Sequence, residues 1–164
     1  MITKQFTHQN LLLLLIASAV FALGSAYISQ YVFGLQPCPL CFWQRKPFFA
    51  IIIVAVLFLI IPMLKKYQKL AIQIAVLLLI INSAIAFYHA GVEQKWFKGL
   101  DSCATTSINS DSLEDLKLAL EKTQAVRCDQ PQFIFLGLSM AAWNVIYCLG
   151  LVLITVGFNR KIKL

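Results

Sequence analysis

A chain of 164 residues that is 60% hydrophobic and only 13% charged cannot cover its apolar surface in water, because soluble domains run near about 25% charged. The composition excludes an ordinary soluble domain and points to an integral membrane protein, organised as one domain over residues 1–164. The net charge of +7 is then topology information and not a nucleic-acid footprint.

No charged residue separates Lys4 from Arg45 unless His8 is protonated, and residues 11–31 form the first predicted span. A cleaved signal peptide competes, with Lys4 as its basic end and Gly24-Ser25-Ala26 as its cleavage site. The apolar character continues through Tyr27, Ile28, Tyr31, Val32 and Phe33, which favours a retained span. A first outer loop, 32–47, follows. Pro47 suits the first turn of the next helix, where its missing N–H would be unpaired anyway, so the second span is predicted over 48–64. A short basic turn, 65–69, leads to the third span, 70–89, and the two are expected to run antiparallel.

Residues 90–132 are the only polar segment of any length. All seven acidic residues fall there, and from Gly91 to Gln132 five basic residues oppose them, for a net charge of −2. Asp111-Ser112-Leu113-Glu114 reads as a helix N-cap with its capping-box partner, and Leu113, Leu116 and Leu120 recur at helical spacing. A short amphipathic helix at the membrane interface is expected, with packing onto the tips of the spans as the alternative. The fourth span is predicted over 133–158. Lys4, the Lys65-Lys66-Lys69 turn and the Arg160-Lys161-Lys163 tail share one side, which the positive-inside bias makes cytoplasmic, with both termini there. Arg45 and Lys46 lie on the opposite, outer side. Snorkelling to the headgroups accounts for Lys46 better than for Arg45.

The five cysteines carry the chemistry. Cys38, Cys41, Cys103 and Cys128 fall in outer loops, where disulfides persist, while Cys148 lies inside the fourth span as a small apolar residue. Cys103 and Cys128 could be a structural disulfide. Cys38 and Cys41 have the two-residue spacing of redox-active dithiols and would close too small a loop to act as a staple. A helix N-terminus and Arg45, one turn beyond Cys41, would both attract a thiolate there. No metal site is expected, because 24 residues separate Cys103 from Cys128 and structural zinc takes closely spaced pairs.

If one pair oxidises a partner's thiols and passes electrons to the other, those electrons need an acceptor, and the chain has no haem or flavin motif. A membrane-dissolved quinone is the candidate. Phe42, Trp43, Phe48 and Phe49 around Arg45 offer an apolar slot with one cation, and His89 could add a hydrogen bond or a proton, although an interfacial histidine is the plainer reading.

Pro37-Cys38-Pro39-Leu40-Cys41 with Gln44-Arg45, then Tyr88-His89-Ala90-Gly91-Val92-Glu93, Cys103, Cys128, and Phe135-Leu136-Gly137-Leu138-Ser139-Met140 with Trp143 strongly resemble the bacterial disulfide bond formation protein B (DsbB) family. The resemblance implies an all-α, four-transmembrane-helix bundle of the bacterial inner membrane whose two cysteine-bearing loops are periplasmic. Its members pass electrons from a periplasmic DsbA-like thioredoxin-fold oxidase to ubiquinone or menaquinone. It further implies that Cys103 is attacked by the partner's thiolate, with Cys128 as its companion. Cys38 would exchange with Cys128, Cys41 would face the quinone beside Arg45, and His89 would lie near the quinone edge. The stretches between Gly91 and Cys103 and between Cys103 and Cys128 match poorly, which leaves partner specificity open. The chain is expected to lack the large C-terminal domain of some DsbI-type relatives. Two alternatives are a vitamin K epoxide reductase-like enzyme and a non-enzymatic scaffold or small transporter. In the last case Asn82 and Asn144 would be the residues of interest, although interhelical hydrogen bonds explain them.

Overall fold

The computed structural model describes residues 7–99 and 128–161. Four long helices dominate them: α1 (His8–Tyr31), α2 (Pro39–Ile60), α3 (Gln68–Glu93) and α4 (Met140–Lys161). All four are long and apolar enough to cross a membrane. The protein is therefore an all-α, multi-pass membrane protein, as the sequence predicts. The amphipathic helix expected around Leu113–Leu120 and the positions of Cys103 and Lys4 lie outside the described residues.

Thr7 opens α1 by accepting the Asn10 N–H on its side chain. Leu11, Leu12, Leu15, Ala19 and Leu23 turn inward at helical spacing, while Leu13, Val20, Phe21 and Ile28 stay exposed on the outer face. A helix apolar all round is what a bilayer requires, since its outer face meets hydrocarbon and not water.

The start of α2 departs from expectation. Pro47 does not open the helix; it sits buried within it, and the helix begins at Pro39. The same rule applies at the earlier proline: Pro39 holds the first helical position, where no N–H partner is needed, and the Cys38 sulfur accepts the Cys41 N–H as the N-cap. The segment 39–47, expected as loop, is thus two more turns of helix that carry Cys41 and Arg45.

A turn containing a 3-10 helix over Lys65–Tyr67 joins α2 to α3. On α3 the buried stripe runs Ala71, Ile72, Ala75, Leu79, Asn82, Ser83, Ala86 and His89. Its small residues let α3 approach both α2 and α4, its two principal neighbours, while α1 packs chiefly on α2. Beyond α3 the chain reverses through Lys95 at φ 62°, and Phe97 folds back to stack on Tyr88 at 5.6 Å. Any Cβ at position 91 would overlap the Phe97 ring, so this reversal needs Gly91.

The fourth helix, by contrast, begins later than predicted, at Met140. Residues expected at its start instead form a small antiparallel hairpin, Ile134–Phe135 (β1) against Leu138–Ser139 (β2), pairing Ile134 with Ser139 and Phe135 with Leu138. Leu136 and Gly137 both have positive φ, the two-residue turn that matches strand twist. The Ser139 hydroxyl then accepts the Ala142 N–H, and the Trp143 indole donates to the Phe135 carbonyl at 3.0 Å, tying the hairpin to α4. The main core lies between the four helices, and a second small cluster of Cys38, Leu40, Val92 and Cys128 closes the end where the cysteines lie.

Candidate redox site

Cys38 and Cys41 are free thiols, with sulfurs 2.8 Å apart in a hydrogen bond. Cys38 is buried at the helix N-terminus. Its bond to Cys41, and then burial, push its thiol well above the ordinary range. Cys128 is disulfide-bonded and packs in the same apolar cluster as Cys38, so both outer loops meet at this end of the bundle. Cys148 is buried mid-bundle, within hydrogen-bond reach of Asn82 and Asn144.

His89, one helix away, points its Nε2 at Cys38 Sγ, 3.4 Å off. Its Nδ1 lies 2.8 Å from the Gln44 amide nitrogen, and Asn144 Nδ2 donates to Gln44 Oε1 at 2.8 Å. Three helices thereby contribute to one string of side chains that fixes the imidazole. Glu93, a turn beyond His89, brings Oε1 to 3.6 Å from Nε2, while its other oxygen is buried without a hydrogen-bond partner.

Arg45 is only 8% exposed. It donates to Gln30 Oε1 at 2.8 Å and to the Ala26 carbonyl at 3.4 Å, and lies over the rings of Tyr27 and Phe42 at 4.9 and 5.1 Å. A guanidinium so deep must have such donor and π contacts to offset lost hydration. Lys46 instead faces outward over Trp43 at 4.1 Å, the snorkelling arrangement. The two adjacent cations thus have different surroundings, as their spacing from Cys41 suggested.

A cavity of about 330 Å³ opens beside the thiols. Cys38, Cys41, Gln44, Arg45 and His89 line its polar end; Phe48, Trp143 and Tyr147 line its apolar wall. Of the predicted aromatic slot, Phe48 lines this cavity, whereas Phe42 flanks Arg45 and is half exposed, and Trp43 and Phe49 also face outward. The sequence assigns no role to Gln44, Glu93 or Gln30, and Asn144, read there as an interhelical hydrogen-bonding residue, makes such a bond to Gln44. The available signal was an amide or carboxylate placed within a largely apolar helix, which must find a partner inside the protein. Cysteine spacing alone predicts no metal-ligand set. Cys38, Cys41 and His89 nonetheless bring one ligand atom each to within 4.8 Å of one another, a grouping that only the packing of α2 on α3 creates.

Four membrane-crossing helices with a buried dithiol at one end define a membrane thiol oxidoreductase. The family model for disulfide bond formation protein DsbB matches residues 8–158, and the chain belongs to that family. Its relatives include disulfide bond formation protein B of Cupriavidus necator, 33% identical over 160 residues and covering 92% of each chain. The corresponding protein of Xylella fastidiosa (strain Temecula1) is 32% identical over 149 residues, covering 85% of this chain and 83% of its own. An uncharacterised protein of Rickettsia prowazekii is 30% identical over 145 residues, covering 87% and 83%. The protein is a membrane oxidoreductase of disulfide bond formation.

Proposed function

We propose that this protein is a thiol:quinone oxidoreductase of the bacterial inner membrane, a single membrane domain over residues 1–164 with cytoplasmic termini and periplasmic cysteine loops. It reoxidises a DsbA-like thioredoxin-fold oxidase and delivers the electrons to ubiquinone or menaquinone. The observation that carries this reading is the Cys38–Cys41 pair opening directly onto a cavity that has a buried guanidinium at its polar end.

In the relay, a partner thiolate attacks Cys103, breaking its bond to Cys128 and forming a mixed disulfide. The partner's second thiol resolves it, so the partner leaves as a disulfide and Cys103 and Cys128 become thiols. The Cys128 thiolate then attacks Cys38 of the Cys38–Cys41 disulfide, releasing Cys41, and Cys103 displaces Cys38 from Cys128, so the Cys103–Cys128 disulfide re-forms and two electrons and two protons end on the Cys38–Cys41 pair. Packing of Cys128 in the Cys38 cluster supports this exchange.

The cavity suits a quinone headgroup, with an apolar wall and few, converging polar groups. When bound, a quinone supplies the two-electron acceptor. Cys38 retains its proton at neutral pH and stays hydrogen-bonded to Cys41; both line the cavity, and Cys41, the less buried of the two, is the sulfur offered to the quinone. Arg45, permanently charged, favours an anionic oxygen there. With Nδ1 accepting from the Gln44 amide, His89 Nε2–H, at 3.4 Å, donates to Cys38 Sγ, and the Gln44–Asn144 string keeps the ring oriented.

The test is quinone reduction by purified protein with reduced partner. Turnover should vanish in Cys38→Ser, Cys41→Ser, Cys103→Ser and Cys128→Ser and survive in Cys148→Ser. Activity without Cys103 would sink the two-pair relay.

A further inference from the structure

Electron transfer explains two thiols and a cation, but it does not explain why a histidine lies against Cys38 Sγ with a buried carboxylate behind it. Cys38 Sγ, Cys41 Sγ and one His89 ring nitrogen lie within 4.8 Å of one another. The Cys38 Sγ to Nε2 separation is 3.4 Å. Donors on one tetrahedral ion, with bonds of about 2.0–2.3 Å, sit roughly 3.3–3.8 Å apart. The histidine and the first thiol already have that spacing. The two sulfurs, now 2.8 Å apart, would open by roughly 1 Å, a small side-chain rotation.

Glu93 lies outside the 4.8 Å grouping but next to its histidine, where a side-chain rotation would bring it in as a fourth donor. Its Oε1 is 3.6 Å from the same Nε2, its side chain is only 7% exposed, and its Oε2 has no hydrogen-bond partner. A buried carboxylate oxygen left without a partner is costly, and ligation of a cation would satisfy it. The Ser139 hydroxyl lies close to this carboxylate and could orient it. On the far side, Gln44 and Asn144 can each donate or accept, so their string can reverse to receive Nδ1–H and leave Nε2 as the ligand.

We infer that the reduced Cys38–Cys41 pair, with His89 and Glu93, forms a binding site for a thiophilic divalent cation of the zinc class, and that the ion and the Cys38–Cys41 disulfide exclude each other. Binding forms two metal–sulfur bonds and releases the two thiol protons; no electron moves. Given the proposed relay, the ion would hold the pair reduced and stop turnover, but binding itself does not depend on that relay.

The experiment uses the full-length chain carrying Cys103→Ser and Cys128→Ser, reduced in detergent and titrated with Co²⁺. One equivalent should give the visible bands of tetrahedral cobalt with a thiolate charge-transfer band, bleached by Zn²⁺ and absent once Cys38 and Cys41 are oxidised. His89→Ala and the near-isosteric Glu93→Gln should each weaken binding about 10-fold or more, by loss of one donor. In the otherwise unsubstituted chain, Zn²⁺ should slow maleimide labelling of Cys38 and Cys41 while leaving Cys148 labelling unchanged. No tetrahedral spectrum in the reduced protein, or an affinity unchanged in both variants, would overturn the site. Failure of quinone turnover would leave the cobalt result intact, so the two readings fail separately.

Discussion

Arg45 is held by one side-chain and one backbone oxygen of α1, between two aromatic faces. Because its planar fork serves several partners at once, lysine is no substitute. Arg45→Met should raise the KM for quinone about 10–100-fold, the worth of one charge-assisted bond of about 1.5–3 kcal/mol, while thiol exchange with the reduced partner proceeds unchanged. Steady-state kinetics with varied quinone reads this out, and an unchanged KM would remove Arg45 from the site. Cys38 gives a second residue-scale expectation. Its thiol is raised first by the bond to Cys41 and then by burial, so its thiolate appears only at alkaline pH. Cys41→Ala deletes the larger cause, and the midpoint of Cys38 alkylation should move down toward the usual value of about 8.5. A rate–pH profile with a small alkylating reagent tests the sign; an upward shift or none would contradict it.

At the level of elements, Leu136 occupies the left-handed region without being glycine, at a cost of about 1–2 kcal/mol. Leu136→Asn would create the favoured Asn-Gly turn and should raise the thermal midpoint in detergent, whereas Leu136→Val should lower it. Asn144 ties α4 to α2 through Gln44. Asn144→Ala leaves a buried acceptor unpaired and should destabilise the fold by about 1–3 kcal/mol, measurable by denaturation in mixed micelles. The four helices were legible because runs such as Leu11–Ile16 admit little else, and the cysteine pair because its spacing is chemical. The misplaced start of α2 has one cause: Pro39 and Pro47 both satisfy the rule for a first turn, and only the Cys38 cap decides between them. Phe133–Ser139 is apolar enough to read as helix, and its turn rests on a positive φ at leucine that propensity disfavours. The His89–Gln44–Asn144 string was illegible for a different reason, since it joins residues brought together only by helix packing.

For the whole molecule, Lys65, Lys66, Lys69 and Arg160 lie at one end of the bundle and the Cys38–Cys41 pair at the other, because successive helices alternate in direction. Neutralising Lys65, Lys66 and Lys69 together should weaken the single orientation, seen as mixed accessibility of cysteines engineered into this turn to an impermeant label. The early start of α2 has a mechanical consequence. From Pro39 to Ile60 the helix is 22 residues, about 33 Å, close to the roughly 30 Å of bilayer hydrocarbon. Cys41 and Arg45 therefore ride on one continuous helical rod, although Pro47 removes the hydrogen bond to the Trp43 carbonyl between them, and Arg45 sits roughly 10 Å along the axis from Cys38. Their depth is set by how the bilayer seats that rod. Acyl-chain length then becomes a control on the reaction: in reconstituted vesicles, turnover should peak where lipid thickness matches the rod and fall on either side as the thiols are lifted or drawn under.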